Sequence, residues 1–399
     1  MDVTQGRKLV KGRFAAGRDA ISKTVSYYAS FIVLGLATAV IGPTLPWLAE
    51  HTQSRLSEVS YLFTANSFGY LLGSLLGGRL YDRTSGHPLM TAALLTTLAM
   101  LALFPLVPLL WILLLVILVI GFGSAFIDVG GNTLLMRVHG SRVGPFMSGL
   151  HFFFGLGALL SPVIVAQVIR VLGQVQWTYW ILALVGIPAA LAVLRLPSPE
   201  IQAFSGEGKA PGDSLFVLLM SFFFFLHVGA ELSFGGWIYT YAVRRGLADE
   251  AAAAYLTSLF WGTFTLGRLL GVPLASLLKP RFILIFDVAG CMLGVGVLLV
   301  FSSSPFVLWA GTILAGISIS TIFPTSFTFS ERHIHMSGKV TSFFLIGASL
   351  GTMFLPWFIG QLFERTGPWV TMVILLLDLL AALVVLLFLL RHAARLKHT

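Results

Sequence analysis

Gly69-Tyr-Leu-Leu-Gly73-Ser-Leu-Leu-Gly77-Gly78-Arg-Leu-Tyr-Asp82-Arg83-Thr-Ser-Gly86 is the stretch on which the reading of this chain turns. Gly69, Gly73 and Gly77 recur every fourth residue and so share one helical face. Small residues at that spacing let helix backbones approach closely in lipid, where no hydrophobic force drives helices together. The apolar run then gives way to Asp82-Arg83 and a turn-forming Thr-Ser-Gly, and a second apolar run begins at once. A membrane helix, a short charged loop and a second membrane helix fit that pattern.

The rest of the chain agrees. Only 10% of the 399 residues are charged and 57% are hydrophobic, with 33 Phe. An ordinary soluble domain carries roughly a quarter charged residues, so this surface is built for lipid. The net charge of +9 does not mark a nucleic-acid binder, because the basic residues sit in short loops between apolar runs rather than on one soluble face. The single cysteine, Cys291, excludes an intrachain disulfide and a multi-cysteine metal site and reads as packing. The basic stretch from Arg7 to Lys23 leads into an apolar run too long for a signal-peptide core, so no cleaved leader is expected.

A helix needs about 20 mostly apolar residues to cross the hydrocarbon. The sequence offers twelve such runs: 25–48, 58–80, 88–108, 110–136, 143–170, 177–195, 215–242, 251–278, 282–303, 306–330, 339–363 and 368–390. The weakest break is the one punctuated only by Pro105 and Pro108. With the N-terminus inside, 19 Lys and Arg fall on the cytoplasmic side and 5 outside, Arg268 lying within a span. That asymmetry predicts both termini in the cytoplasm. The expected organisation is a basic cytoplasmic segment at 1–24, a six-helix bundle at 25–196, a Pro/Ser/Gly-rich cytoplasmic linker at 197–214, a second six-helix bundle at 215–390 and a basic tail at 391–399.

The two halves repeat at an offset of 194 residues. Gly35 meets Gly229, Gly42 meets Gly236, and Gly73 and Gly77 meet Gly267 and Gly271. Gly144, Ser148, Gly157, Pro162 and Gln167 meet Gly338, Ser342, Gly351, Pro356 and Gln361. Same-sense halves with an even span count are parallel repeats about an axis along the membrane normal, an architecture that places a transport site at the midplane between them.

The loop Gly78-Arg-Leu-Tyr-Asp82-Arg83-Thr-Ser-Gly86 resembles the loop 2–3 signature of the major facilitator superfamily, with His87-Pro88 where basic residues are usual. The resemblance implies an all-α integral membrane protein of the major facilitator fold, with Asp82 and Arg83 in an intracellular gating network. A narrower likeness is to the fucose permease group of fucose–galactose–glucose–proton symporters and to sodium-dependent glucose transporter-like proteins. It rests on His227-Val-Gly-Ala-Glu231-Leu-Ser-Phe-Gly-Gly-Trp237-Ile-Tyr-Thr-Tyr241, on Phe260-Trp261-Gly262 followed by Gly267-Arg268, on Phe323-Pro324-Thr325, on Asp128 before Asn132, and on His151 before Gly155. This likeness implies a cation-coupled sugar symporter. It departs at Ile41-Gly42-Pro43, where fucose permease-like proteins carry an acid and this chain has none.

An ionisable residue at the bilayer centre costs about 2.5–3.5 kcal/mol, so each one needs a reason. Asp128 lies about 13 Å deep at 1.5 Å per residue and is the candidate for ion coupling, by proton or sodium. Asn132 follows one turn later on the same face and offers both donor and acceptor to a sugar hydroxyl or to Asp128. Glu231 is a candidate for substrate or ion binding, in a span that Gly229, Gly235 and Gly236 are expected to bend or unwind. Trp261, Trp237 and Tyr239 supply aromatic faces with polar edges, which suit sugars but also interfacial belts. Asn66 and His151 are further substrate candidates, and Gln167 a weaker one. Arg268 and Asp287 are expected to form a structural ion pair, the alternative being that Arg268 holds an anionic substrate. Asp378 reads as structural.

These residues point to a secondary active transporter of a small, sugar-like solute in a multi-pass arrangement in the cytoplasmic (inner) membrane, acting as a monomer. An exporter of drugs or other amphipathic compounds, a lipid or glycolipid flippase and a non-transporting sensor stay open at this stage. No P-loop and no metal-ligand cluster is present in the sequence, so neither an enzyme activity nor a cofactor other than a coupling cation is expected.

Overall fold

The computed structural model describes residues 3–201 and 213–396, with side chains from Asp19 onward. Most of the expected linker at 197–214, the side chains of the basic segment before residue 19 and the last residues of the basic tail lie outside the described residues. Among the described residues the chain is helical, without strands.

The helices are α1 (Val3–Ala39), α2 (Ile41–His51), α3 (Leu56–Val59), α4 (Tyr61–Tyr81), α5 (Gly86–Leu103), α6 (Leu110–His139), α7 (Gly144–Leu172), α8 (Gln176–Arg195), α9 (Ser214–Arg244), α10 (Glu250–Leu277), α11 (Pro280–Val300), α12 (Pro305–Ile319), α13 (Ile322–Glu331), α14 (Gly338–Thr366) and α15 (Val370–Leu396). Among the described residues, ten segments are long and apolar enough to cross a membrane. The two long helices outside that set are α4 and α10, which carry Thr64, Asn66 and Ser67, and Thr257, Ser258 and Arg268. They are also where the halves meet, because α4 packs on α14 and α10 packs on α7. The polar residues that lower their hydropathy are thus turned into the protein. Outward-facing apolar side chains, such as Trp111 (62% exposed) and Phe306 (80% exposed), present a surface suited to lipid.

The basic segment and the first span share one helix, since α1 runs unbroken from Val3 to Ala39. One expectation about chain breaks needs correction: span 7 is not discontinuous, since α9 is one helix from Ser214 to Arg244. Its glycines serve close approach instead. A Cβ on Gly229 would lie 3.0 Å from the Gly351 carbonyl oxygen, and one on Gly236 would lie 2.8 Å from the Phe63 ring. The discontinuities fall at Val40, between α1 and α2, and at Ser320–Thr321, between α12 and α13. Each precedes a proline by three or four residues. Pro43 and Pro324 have no N–H for the carbonyls of Ala39 and Ser320, and their rings crowd those same carbonyls. Proline alone is not sufficient, because Pro162 and Pro356 lie within unbroken helices.

The sequence repeat reappears as a repeated helix crossing. In the first half a Cβ on Gly35 would overlap the Phe154 carbonyl, and one on Gly157 would overlap the Ile32 carbonyl. In the second half Gly229 meets Gly351, and a Cβ on Gly351 would overlap the Phe225 carbonyl. The four residues are the two pairs related by the offset, and in each half they bring the first helix against the fifth.

The halves touch mainly at one end. Far from the linker, the Leu56 N–H and the Ser57 hydroxyl donate to Glu364 at 2.8 and 3.3 Å, and Gln361 Nε2 donates to the Ser57 carbonyl at 2.7 Å. Thr64 Oγ1 donates to the Met353 carbonyl at 2.9 Å, and Gln167 bonds Tyr255. Midway, Ser258 Oγ donates to the Leu159 carbonyl at 2.7 Å. On the linker side no hydrogen bond or ion pair joins the halves among the described residues. The hydrogen bonds that join the halves thus hold the end far from the linker closed.

The start of the second half is fixed at Asp213, which caps α9 by accepting from the Phe216 N–H at 2.7 Å and contacts His392 Nε2 of α15 at 2.9 Å. Burial raises the Asp213 carboxyl, but the Phe216 N–H and His392 outweigh it and hold the group below its ordinary value. A depressed folded-state value contributes stability above the ordinary carboxyl range, and that stability is lost as pH falls through the folded value. Asp213→Ala is therefore expected to lower stability by about 1 kcal/mol at neutral pH. Thermal unfolding across a pH series checks this: the gap from the unsubstituted protein closes on acidification through the carboxyl range.

Candidate functional site

The polar groups of the cleft come from α4, α6 and α7 in the first half and from α9 and α10 in the second. On α6, Asp128 accepts from Tyr70 of α4 through one oxygen and from Asn132 Nδ2 at 2.9 Å through the other. The one-turn spacing of Asp128 and Asn132 makes the second contact, as expected, and Asn132 Nδ2 also reaches the Asp128 carbonyl at 2.9 Å. Tyr70 was not anticipated. It lies one residue past Gly69 in a glycine stripe, with no signal in the sequence of which way its hydroxyl points.

On α9, Glu231 is 7% exposed, and no hydrogen bond reaches its carboxylate among the described residues. On α10, the Arg268 guanidinium lies 4.3 Å over the Phe264 ring, and its Nε is buried without an acceptor. The charges that act on Arg268 are those of Glu231 and Asp128. The arginine thus lies in the field of one carboxylate from each half, with no ion pair to either. His151 on α7 and His227 on α9 also lie in the field of this cation. His151 is exposed, and its ring meets Phe31 edge-on at 6.0 Å.

This overturns the expected ion pair. No ion pair joins Arg268 to Asp287, whose carboxylate instead accepts from the Thr321 hydroxyl. The two residues enter their spans from the same side, but the rotation of α10 turns Arg268 toward the centre of the protein and leaves Asp287 facing the broken helix.

At the closed end the cleft narrows to a recess of about 30 Å³, room for one or two water molecules. Asn66 and Trp261 line it, together with Thr38, Ser67 and Thr352. The Trp261 indole meets Phe154 of the other half edge-on at 6.4 Å, and its Nε1 is buried without an acceptor. Trp237 is not at the recess. It is fully buried, its Nε1 donates to the Pro356 carbonyl at 3.0 Å, and its ring packs on Phe363. Tyr239 is 3% exposed and likewise does not line the recess. Both were expected near the substrate. They sit one and three residues beyond Gly236, past the point where α9 closes on Phe63 and Gly42.

The family model described as Major Facilitator Superfamily matches residues 27–356. The chain belongs to that superfamily.

Sodium-dependent glucose transporter 1 of Xenopus laevis is 31% identical, over 82% of this chain and 73% of its own length. The protein of the same name from Homo sapiens is 29% identical, over 84% of this chain and 72% of its own. Major facilitator superfamily domain-containing protein 4A of Homo sapiens is 28% identical over 88% of each chain. Among solved structures, the nucleoside transporter NupG superposes with a TM-score of 0.75 at 15% identity, covering 93% of this chain and 99% of that one. That last likeness is one of fold. Family and helices together make the chain a multi-pass integral membrane protein of a transporter superfamily.

In the superfamily loop it is Asp82 that makes an ion pair. Asp82 lies 3.7 Å from Arg137 at the end of α6, and Arg137 also donates to the Tyr81 carbonyl at 2.7 Å. Arg83 is exposed and makes no ion pair among the described residues. The partner is Arg137 because the α4–α6 packing buries its side chain beneath the loop, whereas Arg83, at the turn, points outward.

Proposed function

We propose that this protein is a secondary active transporter that works by alternating access and couples a small polyhydroxy solute, a sugar foremost, to a cation gradient. The observation that carries the reading is the Asp128–Arg268–Glu231 arrangement, with one carboxylate from each half acting on one arginine in a cleft closed at one end. A cation or proton arriving at either carboxylate changes the field on Arg268, and Arg268 belongs to one half only. Ion occupancy is thereby linked to the relation between the halves. Asn132, Glu231 and Trp261, with Asn66 at the recess and the exposed His151, supply the polar edges and aromatic face that a sugar requires. The names of the relatives support sugar as the solute.

In this reading α4 and α10 join the ten apolar segments as the eleventh and twelfth spans. The two bundles cover 25–196 and 215–390, both termini are cytoplasmic, and the state described is open to the cytoplasm. The protein works as a monomer in the cytoplasmic membrane, with no cofactor beyond the coupling proton or sodium ion. Reconstituted protein in liposomes is expected to accumulate labelled hexose under an imposed cation gradient, and parallel proton and sodium gradients name the ion. No accumulation under either gradient overturns the reading. The unpaired Arg268 Nε favours a second reading, an organic anion as solute, which uptake of a labelled hexuronate in preference to the hexose would select.

Glu364 is the main polar clasp at the closed end. Glu364→Ala removes the acceptor of two cross-half hydrogen bonds and is expected to weaken closure by about 1 kcal/mol, a several-fold population shift toward opening on that side. Labelling of a cysteine introduced at Ser57 checks this. Reactivity unchanged by the substitution would show that Glu364 does not hold the end shut.

A further inference from the structure

Asp287 is an intramembrane acid that the fold leaves without a cation. It lies two turns into α11, Arg268 does not pair with it, and the Thr321 hydroxyl is its hydrogen-bond partner. A carboxylate held in a membrane protein with one neutral partner is costly unless something neutralises it.

The surroundings supply oxygen. Thr321 belongs to the break between α12 and α13. Pro324 has no N–H to offer the Ser320 carbonyl, and no backbone hydrogen bond takes its place among the described residues. Ser318, in the last turn before the break, is 8% exposed, with its hydroxyl against Gly290 of α11, one turn from Asp287. No hydrogen bond of that hydroxyl exists among the described residues. The face of α11 that carries Asp287 and Gly290, and the broken turn packed on it, therefore hold a carboxylate, two hydroxyls and a carbonyl without a backbone donor. On the far side, Gly267 and Gly271 of α10 pack against Ser320 and Thr321 and close the position.

We infer that this is a sodium site, with Asp287, Thr321, Ser318 and the Ser320 carbonyl as its ligand-bearing groups. The donor set is oxygen alone, which suits hard cations. No group of three His, Cys, Asp or Glu exists among the described residues to hold a transition metal. A single carboxylate is balanced by one monovalent ion. Carbonyls freed where a membrane helix is interrupted are a recurrent ligand for alkali cations. An ion here ties both pieces of the broken helix to α11, and so fixes the helix that flanks the cleft. The site is separate from Asp128 and Glu231 and goes beyond the transport reading.

The test needs no transported solute. The full-length protein in detergent is unfolded thermally in NaCl, KCl and choline chloride at one ionic strength. The unfolding temperature is expected to rise with NaCl alone. Asp287→Asn, which still accepts from Thr321, is expected to abolish the rise, while Gly296→Ala in the same helix, where a Cβ meets nothing within 4 Å, retains it. Ser318→Ala and Thr321→Val are expected to raise the half-saturating sodium concentration roughly tenfold, and they serve where Asp287→Asn does not fold. The absence of a sodium-specific rise, or a rise that survives Asp287→Asn or both hydroxyl variants, overturns the assignment. A rise lost in Asp128→Asn and kept in Asp287→Asn also overturns it, by moving the ion to the cleft. Failure of hexose transport leaves this readout untouched.

Discussion

Asp128→Asn is expected to abolish gradient-driven accumulation while leaving solute exchange intact. The new amide has the shape of the carboxyl. Its oxygen can accept one of the two hydrogen bonds that Tyr70 and Asn132 now donate, and its NH2 can donate to the Tyr70 hydroxyl. Binding geometry is therefore kept and only the charge is lost. One cation driven by 100 mV delivers about 2.3 kcal/mol, enough for roughly a 50-fold concentration ratio. With Asp128 unable to carry the ion, that ratio falls to about 1, a roughly 50-fold effect, while counterflow between labelled and unlabelled solute continues. Accumulation and counterflow measured on one proteoliposome preparation separate the two. Full accumulation by Asp128→Asn would remove the residue from the coupling mechanism.

Gly157→Val and Gly351→Val are expected to destabilise the protein by about 3 kcal/mol each, near the upper end for overpacking. The added Cβ meets backbone carbonyls, those of Ile32 and Phe225, and not side chains that could turn aside. The helices must separate, and the close crossing of the first and fifth helices in that half is lost. Gly296→Ala within α11 is the control, since nothing lies within 4 Å of its Cβ position. It is expected to leave stability unchanged or slightly raised, because alanine favours the helix. Thermal unfolding in detergent ranks the three. Equal behaviour of all three would show that the repeated glycines are not packing contacts. Because Gly157 and Gly351 are related by the repeat, similar losses at the two sites would also show that the halves are built on the same crossing.

The sequence carried the repeat through to the contacts themselves. Gly35, Gly157, Gly229 and Gly351 were visible as offset partners because a glycine required by backbone contact admits no substitute, and its position survives in the pattern. The helix boundaries were likewise legible. Pro105 and Pro108 mark a real interruption, and α5 ends at Leu103 before α6 begins at Leu110. The breaks at Val40 and Ser320 were less legible, since Pro162 and Pro356 look the same in sequence and break nothing.

The site was only partly legible. Asp128 and Asn132 could be paired from spacing because both lie on one helix. Arg268 could not be paired, because Asp287, Glu231 and Asp128 were all intramembrane acids on other helices. Arg137 follows directly on the apolar run 110–136, where a basic residue looks like any loop charge, and its burial under Asp82 depends on how α4 lies against α6. Trp237 and Trp261 looked alike as aromatic candidates, yet the first is locked to Pro356 and the second lines the recess.

The sequence by itself determined the solvent, the apolar segments, the twofold repeat and the short set of residues too polar to be in lipid without a reason. Those follow from composition and from spacing along one chain, where the helical rise and the thickness of the hydrocarbon do the counting. Only the tertiary structure decided which of those residues meet. Helices that are apolar on every side carry no periodicity to say which face turns inward, so their rotation is set by packing against neighbours far away in the chain. That rotation turned Arg268 toward Asp128 and Glu231, and left Asp287 to the broken helix.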